Sequence, residues 1–252
     1  MNRDLKKNID GQAIPQLFLT APAPCPYLKN RTERKVFTQL AGPHADTLHN
    51  ILTNAGFRRS QSIAYKPACD GCSACVSVRI VANRFISSRG YRRILRSNED
   101  LVHKVVPCDP TAEQFSLLRR YLDARHNDGG MADMTALDYA AMVEETPVET
   151  NLFEYRRTED GALLAASLTD ELDDGLSMVY SFFDPDAEQR SLGTYMILNH
   201  IRQTLRRGKS YVYLGYWVKA CAKMDYKSRF KPLEILGPSG WQEMPESLGK
   251  RA

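Results

Sequence analysis

The sequence predicts an α+β protein: a mixed sheet flanked by helices, preceded by a β-rich, cysteine-containing N-terminal region. Two observations carry this expectation. The first third is a series of short β-rich runs broken by Pro and Gly around one helical pattern. The last hundred residues run strand–strand–strand–helix–strand, with longer periodic elements. The change of texture places a boundary near residue 100, between an N-terminal region (1–100) and a C-terminal domain (101–252). At 252 residues the chain is long enough to bury a core in each.

The N-terminal strands are expected over 16–20, 35–39, 59–65 and 75–82. Between them Leu48, Ile51, Leu52 and Ala55 fall at helical spacing, and Gly56 follows as a stop. A basic helix is expected over 89–98, and a connector over 102–110. Thr111 with Gln114 three residues on forms a capping box for the next helix; another covers 136–145. Strands over 152–157, 163–170 and 177–183 are separated by turns at Asp160-Gly161 and Asp173-Asp174-Gly175. A helix over 191–207 carries Leu198, Ile201 and Leu205 on one face and ends at Gly208. A strand over 210–217, a short basic helix and a last strand over 233–236 complete the series.

Charge is distributed unevenly. Residues 1–108 hold 17 Lys+Arg against 7 Asp+Glu, residues 109–188 hold 5 against 19, and residues 189–252 hold 12 against 4. Between 71 and 98 there is no acid but six arginines: Arg79, Arg84, Arg89, Arg92, Arg93 and Arg96. Between 202 and 231 nine bases accompany one acid, Asp225. Such runs are commonly solvated faces. Here aromatics interleave (Phe85, Tyr91, Tyr211, Tyr213, Tyr216, Trp217, Tyr226, Phe230), a pairing that suits phosphates and unstacked bases. No apolar run approaches the ~20 residues of a membrane span. The first twelve residues lack a signal-peptide core. A cytoplasmic protein with no membrane partner is expected, its cysteines reduced or metal-bound.

Cys69, Cys72 and Cys75 lie at i, i+3 and i+6 on a Gly-containing loop. They either converge on a metal with Cys25 as fourth ligand or pack as small hydrophobes in a tight turn. Zinc or an iron–sulfur cluster suits four thiolates. A second constellation follows the strand over 177–183: Asp184-Pro185, then Arg190-Ser191-Leu192-Gly193-Thr194-Tyr195 entering a helix. A helix N-terminus attracts an anion. Arg190 adds a cation, and Gly193 allows close approach.

This loop resembles the acyl-donor loop of the GNAT acyltransferase fold, although Tyr195 stands where that pattern has a small residue. Further motifs occur in order: Leu176 to Pro185, Ser191 to Tyr195, Tyr213-Leu214-Gly215-Tyr216-Trp217, Cys221 to Lys227, and Phe230-Lys231-Pro232. Upstream stand Cys25-Pro26-Tyr27-Leu28, Gly56-Phe57-Arg58-Arg59-Ser60 and Tyr65-Lys66-Pro67. Together they are similar to the arginyl- and leucyl-tRNA–protein transferases, nearer the bacterial leucyl type. The resemblance implies a GNAT-like acyltransferase core that takes an aminoacyl-tRNA in place of acetyl-CoA. It implies transfer of leucine to the N-terminal amine of proteins beginning with Asp or Glu, in N-end rule degradation. In the resemblance, eukaryotic relatives hold an iron–sulfur cluster in the cysteine region, which adds to the metal alternative, while the altered cysteine spacing counts against it. No cofactor is obligatory for the chemistry. Arginyl-tRNA as donor, a coenzyme A-dependent N-acetyltransferase, and a non-catalytic RNA-binding module are the competing readings.

An aminoacyl ester is already activated, so positioning, removal of one proton and oxyanion stabilisation suffice. Tyr180 and Asp184 are the expected proton-handling groups. Arg190, Ser191, Gly193, Tyr195, Arg92, Arg93, Lys223 and Lys227 are expected to meet the tRNA donor. Arg34 and Arg79 are expected to pair with an acidic acceptor side chain. His44, His49, His103, His126 and His200 are scattered, and none is expected to act as the base.

Overall fold

The computed structural model describes residues 15–125, 131–219 and 221–249; His126 and the first twelve residues lie outside them. The N-terminal unit contains β1 (Phe18–Leu19), β2 (Ala23–Pro24), β3 (Thr32–Glu33), β4 (Lys35–Gln39), α1 (Ala45–Asn54), β5 (Arg58–Ser60) and β6 (Ile63–Pro67). An antiparallel sheet runs in the order β1-β4-β6-β5, and β2 pairs with β3 beside it. The single strand expected over 59–65 is a hairpin, because Gln61 takes a positive φ of 49° between β5 and β6.

Eight strands form the main sheet: β7 (Cys75–Val81), β8 (Leu101–Val106), β9 (Thr150–Arg157), β10 (Leu163–Glu171), β11 (Gly175–Phe183), β12 (Tyr211–Val218), β13 (Leu233–Gly237) and β14 (Gly240–Glu243). Their order is β14-β13-β7-β12-β11-β10-β9-β8, and every neighbouring pair is antiparallel except β11 and β12. The sheet crosses the boundary expected at residue 100, since β7 is an interior strand. β8 replaces part of the expected connector. Only Leu101 of its six residues is buried, so its apolar alternation is too weak to read.

Successive side chains of a strand face opposite sides, and Leu163 and Leu164 enter different cores. One core lies under α5 (Leu192–Arg206), with α2 (Arg89–Arg96) packed against that helix. The other lies under α3 (Ala112–Arg125) and α4 (Ala136–Glu144). The expected capping box opens α3: Thr111 N donates to Gln114 Oε1 at 2.9 Å, and Gln114 N to Thr111 Oγ1 at 3.2 Å. The N-terminal unit is tied to β10 through Asp170, which is fully buried. Arg59 of β5 donates to both of its oxygens, at 2.8 and 2.6 Å, and His49 Nε2 of α1 lies 2.9 Å away.

Candidate active site

The single parallel pair is where the sheet opens. β11 and β12 are in register only at Gly175–Tyr211, Leu176–Val212 and Ser177–Tyr213, although both strands continue well beyond. At the closed end a Cβ on Gly175 would lie 2.2 Å from the Tyr211 carbonyl oxygen, so only glycine permits this approach. Two bulges face each other where the strands part. The β10–β11 register steps from Leu168–Tyr180 to Thr169–Met178, leaving Val179 extra. The β12–β7 register steps from Tyr213–Arg79 to Gly215–Val78, leaving Leu214 extra. Bulges add local bend and twist, and here one on each strand turns the pair apart.

Opening a ladder strands carbonyls, and buried carbonyls need donors. Two cations supply them. Arg58 Nη2 donates to Val179 O at 2.8 Å. Lys227 Nζ donates to Leu214 O at 2.8 Å and Tyr216 O at 2.6 Å. Burial, with the Arg58 charge adding to it, pulls the Lys227 ammonium down to about 7. Lys227 is 6% exposed, so it is not the surface phosphate contact expected from sequence.

The other expected residues divide sharply. Tyr180 lies on the opened half of β11, packed toward the α3 core. Burial raises its phenol well above the ordinary value, so it stays protonated and cannot serve as a base near neutrality. Asp184 is held by Arg120 at 3.1 Å and accepts from Asp186 N at 3.1 Å, closing the turn after β11. At the donor loop, Arg190 is not free for phosphate: its guanidinium makes a two-point pair with Asp100 at 2.8 and 2.9 Å. Ser191 takes φ 53° as the N-cap of α5 and gives it no side-chain cap. Gly193 lies against the Phe183 ring. Tyr195 is 6% exposed, edge-on to Tyr155 in the core, and so cannot touch a donor.

Arg79 is also spent inside. It donates to Glu234 at 2.8 Å and to the Tyr213 hydroxyl at 2.9 Å, with its guanidinium 3.6 Å from the Tyr211 ring centre. This overturns its expected role with an acceptor carboxylate. Arg34 sits at the N-terminal sheet between Thr20 O, at 3.3 Å, and Asp70, at 3.8 Å. The arginines of α2 behave as charge alone predicts. Arg89, Arg92, Arg93 and Arg96 are exposed and make no ion pair among the described residues. Arg89, Arg93 and Arg96, with exposed Arg229 and Lys231, line two adjoining hollows, and Arg92 donates to Ser87 O at 2.7 Å. Lys223 is exposed as well. Of the interleaved aromatics, Tyr213, Tyr216, Trp217 and Phe230 are core residues rather than stacking surfaces.

The four cysteines gather around Cys75, whose thiol is pushed up to about 11 by burial and then by Cys25, Cys69 and Cys72. Their chemistry fits a soft metal, but Cys69 Sγ is engaged by the Arg34 backbone, at 3.5 Å from its N and 3.6 Å from its O. Among the described residues no group of three or more His, Cys, Asp or Glu is arranged to hold a metal ion. His49 is taken up by Asp170, and His103 lies against the Phe153 and Tyr155 rings. His200 is buried and neutral, bonded to Thr169 Oγ1 at 2.9 Å.

Sequence reasoning missed Arg58. Its signal was the Gly56 to Ser60 motif, which gives no hint that Arg58 and Arg59 point to different places.

A mixed sheet whose parallel pair splays, with a helix packed on one face, is the α+β, GNAT-like architecture expected from the sequence. Family comparison sharpens the class. The N-terminus model of arginine-tRNA-protein transferases matches residues 23–93, and the C-terminus model matches residues 113–237. The chain therefore belongs to this family and is an aminoacyl-tRNA–protein transferase. It is 60% identical to an aspartate/glutamate leucyltransferase of Afipia carboxidovorans, over 90% of this chain and 92% of the relative. It is 56% identical to one of Rhizobium johnstonii, over 95% and 98%. Solved structures are more distant. L-PGS from Bacillus licheniformis aligns at a TM-score of 0.44 and 12% identity, covering 62% of this chain and 52% of that one. Among the described residues no helix is long and apolar enough to cross a membrane.

Proposed function

We propose that this protein transfers leucine from leucyl-tRNA to the α-amine of proteins whose first residue is Asp or Glu, marking them for N-end rule degradation in the cytoplasm. The observation that carries the reading is the opened β11–β12 pair beside a helix face of four unpaired arginines. The opening offers a water-poor place for ester and amine to meet, and the arginines offer phosphate contacts at its flank. The donor and acceptor identities are supported by the relatives' names.

In this mechanism the acceptor amine, ordinarily near pKa 8, attacks the ester carbonyl directly. The C–N bond forms, the ester C–O bond breaks, and the proton lost by the nitrogen passes, directly or through the neighbouring ribose hydroxyl, to the departing tRNA 3′ oxygen. The developing oxyanion takes hydrogen bonds from the opening, with the protonated Tyr180 phenol as a donor. Asp184 orders the turn through Arg120. No cofactor enters, because the ester bond is already activated.

Incubation with leucyl-tRNA, arginyl-tRNA or acetyl-CoA, and peptides differing only at residue one, tests the reading. Leucine should pass to Asp- and Glu-starting peptides. Equal or better transfer from arginyl-tRNA, the donor in the family's description, would reject the leucine assignment. Metal chelation should leave transfer unchanged, and metal bound stoichiometrically to wild type but lost in Cys72→Ser would give the cysteines a metal role.

A further inference from the structure

We propose that Arg58 and Lys227, at the point where β11 and β12 separate, form the site that holds the carboxylate of the acceptor's first side chain. The proposal rests on the acceptor class given above and assigns it a place.

Interior cations are ordinarily paired with carboxylates. The molecule follows that rule at Arg59 and Arg79, each held by an acid. Arg58 and Lys227 break it. Neither is within 4.0 Å of a carboxylate among the described residues, and the Arg58 charge adds to burial in depressing Lys227. What surrounds Arg58 is phenolic: the side chains acting on it are Tyr65, Tyr216, Tyr27 and Tyr226. One nitrogen, Nη2, is fixed to Val179 O, and the remaining N–H groups have no protein partner among the described residues. The residue is half-buried rather than sealed, so those groups are reachable. Two uncompensated cations in a tyrosine-lined crevice call for an anionic occupant.

The crevice also collects the chain's separated motifs. Tyr27, Arg58, Tyr65, Tyr216 and Lys227 come from five of them, on the N-terminal unit, β12 and the segment after it. Backbone geometry is adapted to hold Arg58 there. Gly215 has φ 71°, and a Cβ on it would lie 2.5 Å from the Arg58 guanidinium. Arg58 therefore lies across bare backbone at the bulge.

Two anions take part in the reaction, the tRNA phosphates and the acceptor carboxylate. A polynucleotide track needs an open, solvated row of bases, which α2 with Arg229 and Lys231 supplies on the surface. A guanidinium fork with free N–H groups, half-buried among tyrosines, suits a single planar carboxylate. Its position suits it too: the carbonyls held by Arg58 and Lys227 mark the strand separation, where the amine must stand. In an N-terminal Asp or Glu the amine and the carboxylate are only a few bonds apart.

The test uses the full chain, leucyl-tRNA and peptides beginning with Asp, Asn, Glu or Gln. Wild type should favour Asp over Asn, and Glu over Gln, in kcat/KM. If it does not, the acceptor class itself is wrong and the site falls with it. Arg58→Gln should reduce kcat/KM for Asp peptides roughly 10- to 100-fold, the range of a charged hydrogen bond, with the Asn value and tRNA affinity little changed. Lys227→Met, an isosteric replacement, should lower the Asp/Asn ratio in the same direction. Arg58→Lys keeps the charge but not the fork, and provides the folded comparison if Arg58→Gln does not fold; it should lose part of the ratio. Folded variants that keep the wild-type Asp/Asn ratio would overturn the proposal while leaving the acceptor class standing. Lost tRNA affinity with an unchanged ratio would also overturn it, assigning the crevice to the donor.

Discussion

The outer face of α2 and the β11–β12 opening use the same residue types in opposite ways. On α2, Arg89, Arg92, Arg93 and Arg96 point into solvent with no acid beside them. In the opening, Arg58 and Lys227 are turned inward and hold backbone carbonyls. The segment after β12 contains both kinds within nine residues: Lys223, Arg229 and Lys231 are exposed, and Lys227 is buried. A run of positive charge is therefore not a unit. Each cation's role follows from what its backbone position lets it reach, and only the outward ones keep the long-range field that draws a polyanion.

The contrast breaks most severely if an interior cation loses its partner. Arg59 is tolerated in the core because Asp170 takes two of its N–H groups. Asp170→Ala leaves that charge buried and unpaired, and should cost about 3–5 kcal/mol, read as a lower denaturant midpoint. A loss below about 1 kcal/mol would mean the junction behaves like a surface pair.

Replacing all four α2 arginines by Gln should do the reverse, moving binding and sparing the fold. If each meets a phosphate, the log–log salt slope for tRNA should shrink by about 0.7–0.9 per contact. The melting temperature should hardly change, because exposed substitutions are usually within about 0.5 kcal/mol each. An unchanged slope would return α2 to an ordinary solvated face.

A pH effect should distinguish Lys227 from every outward lysine. Its folded value, about 7, lies below that of a lysine in the unfolded chain. Between those two values the unfolded chain binds more protons, so stability should rise with pH across that window and flatten above it. Lys227→Met should remove this rise, and Lys223→Met should not. Parallel pH profiles for wild type and Lys227→Met would show that the ammonium is not desolvated.

Much of this arrangement was legible because local rules act over short spans. The Thr111–Gln114 box, the α5 periodicity ending at Gly208 and the strand run from Tyr211 each depend on neighbours in sequence. The opening was not legible. It depends on bulges at Val179 and Leu214, which change strand register by a single residue and leave no mark on composition. The same reason hides the fate of Arg79 and Tyr195, since which face a side chain takes is set by its partner strand or helix contact. Arg58 and Arg59 show the limit most plainly. Adjacent and chemically identical, they project to opposite sides of β5, one to the strand opening and one to Asp170.

The finest test of inward against outward cations is Arg190, which sits in the loop expected to bind the donor. Its pair with Asp100 is partly exposed, with side-chain exposures of 22% and 40%, so the pair should stabilise the fold by no more than about 1 kcal/mol. The Arg190 guanidinium holds the Asp100 carboxyl below the ordinary carboxylate range, first by hydrogen bonding. That small contribution is present above the unfolded carboxylate value and is lost as pH falls through the lower folded one. Arg190→Gln should therefore trim stability slightly near neutrality, with the difference from wild type closing in acid. Because the guanidinium is already engaged, tRNA affinity and its salt slope should stay at wild-type values, unlike those of the α2 variants. A tenfold loss of tRNA affinity in a folded Arg190→Gln protein would show that the side chain leaves Asp100 for a phosphate. The loop would then rejoin α2 as part of the outward, polyanion-facing set.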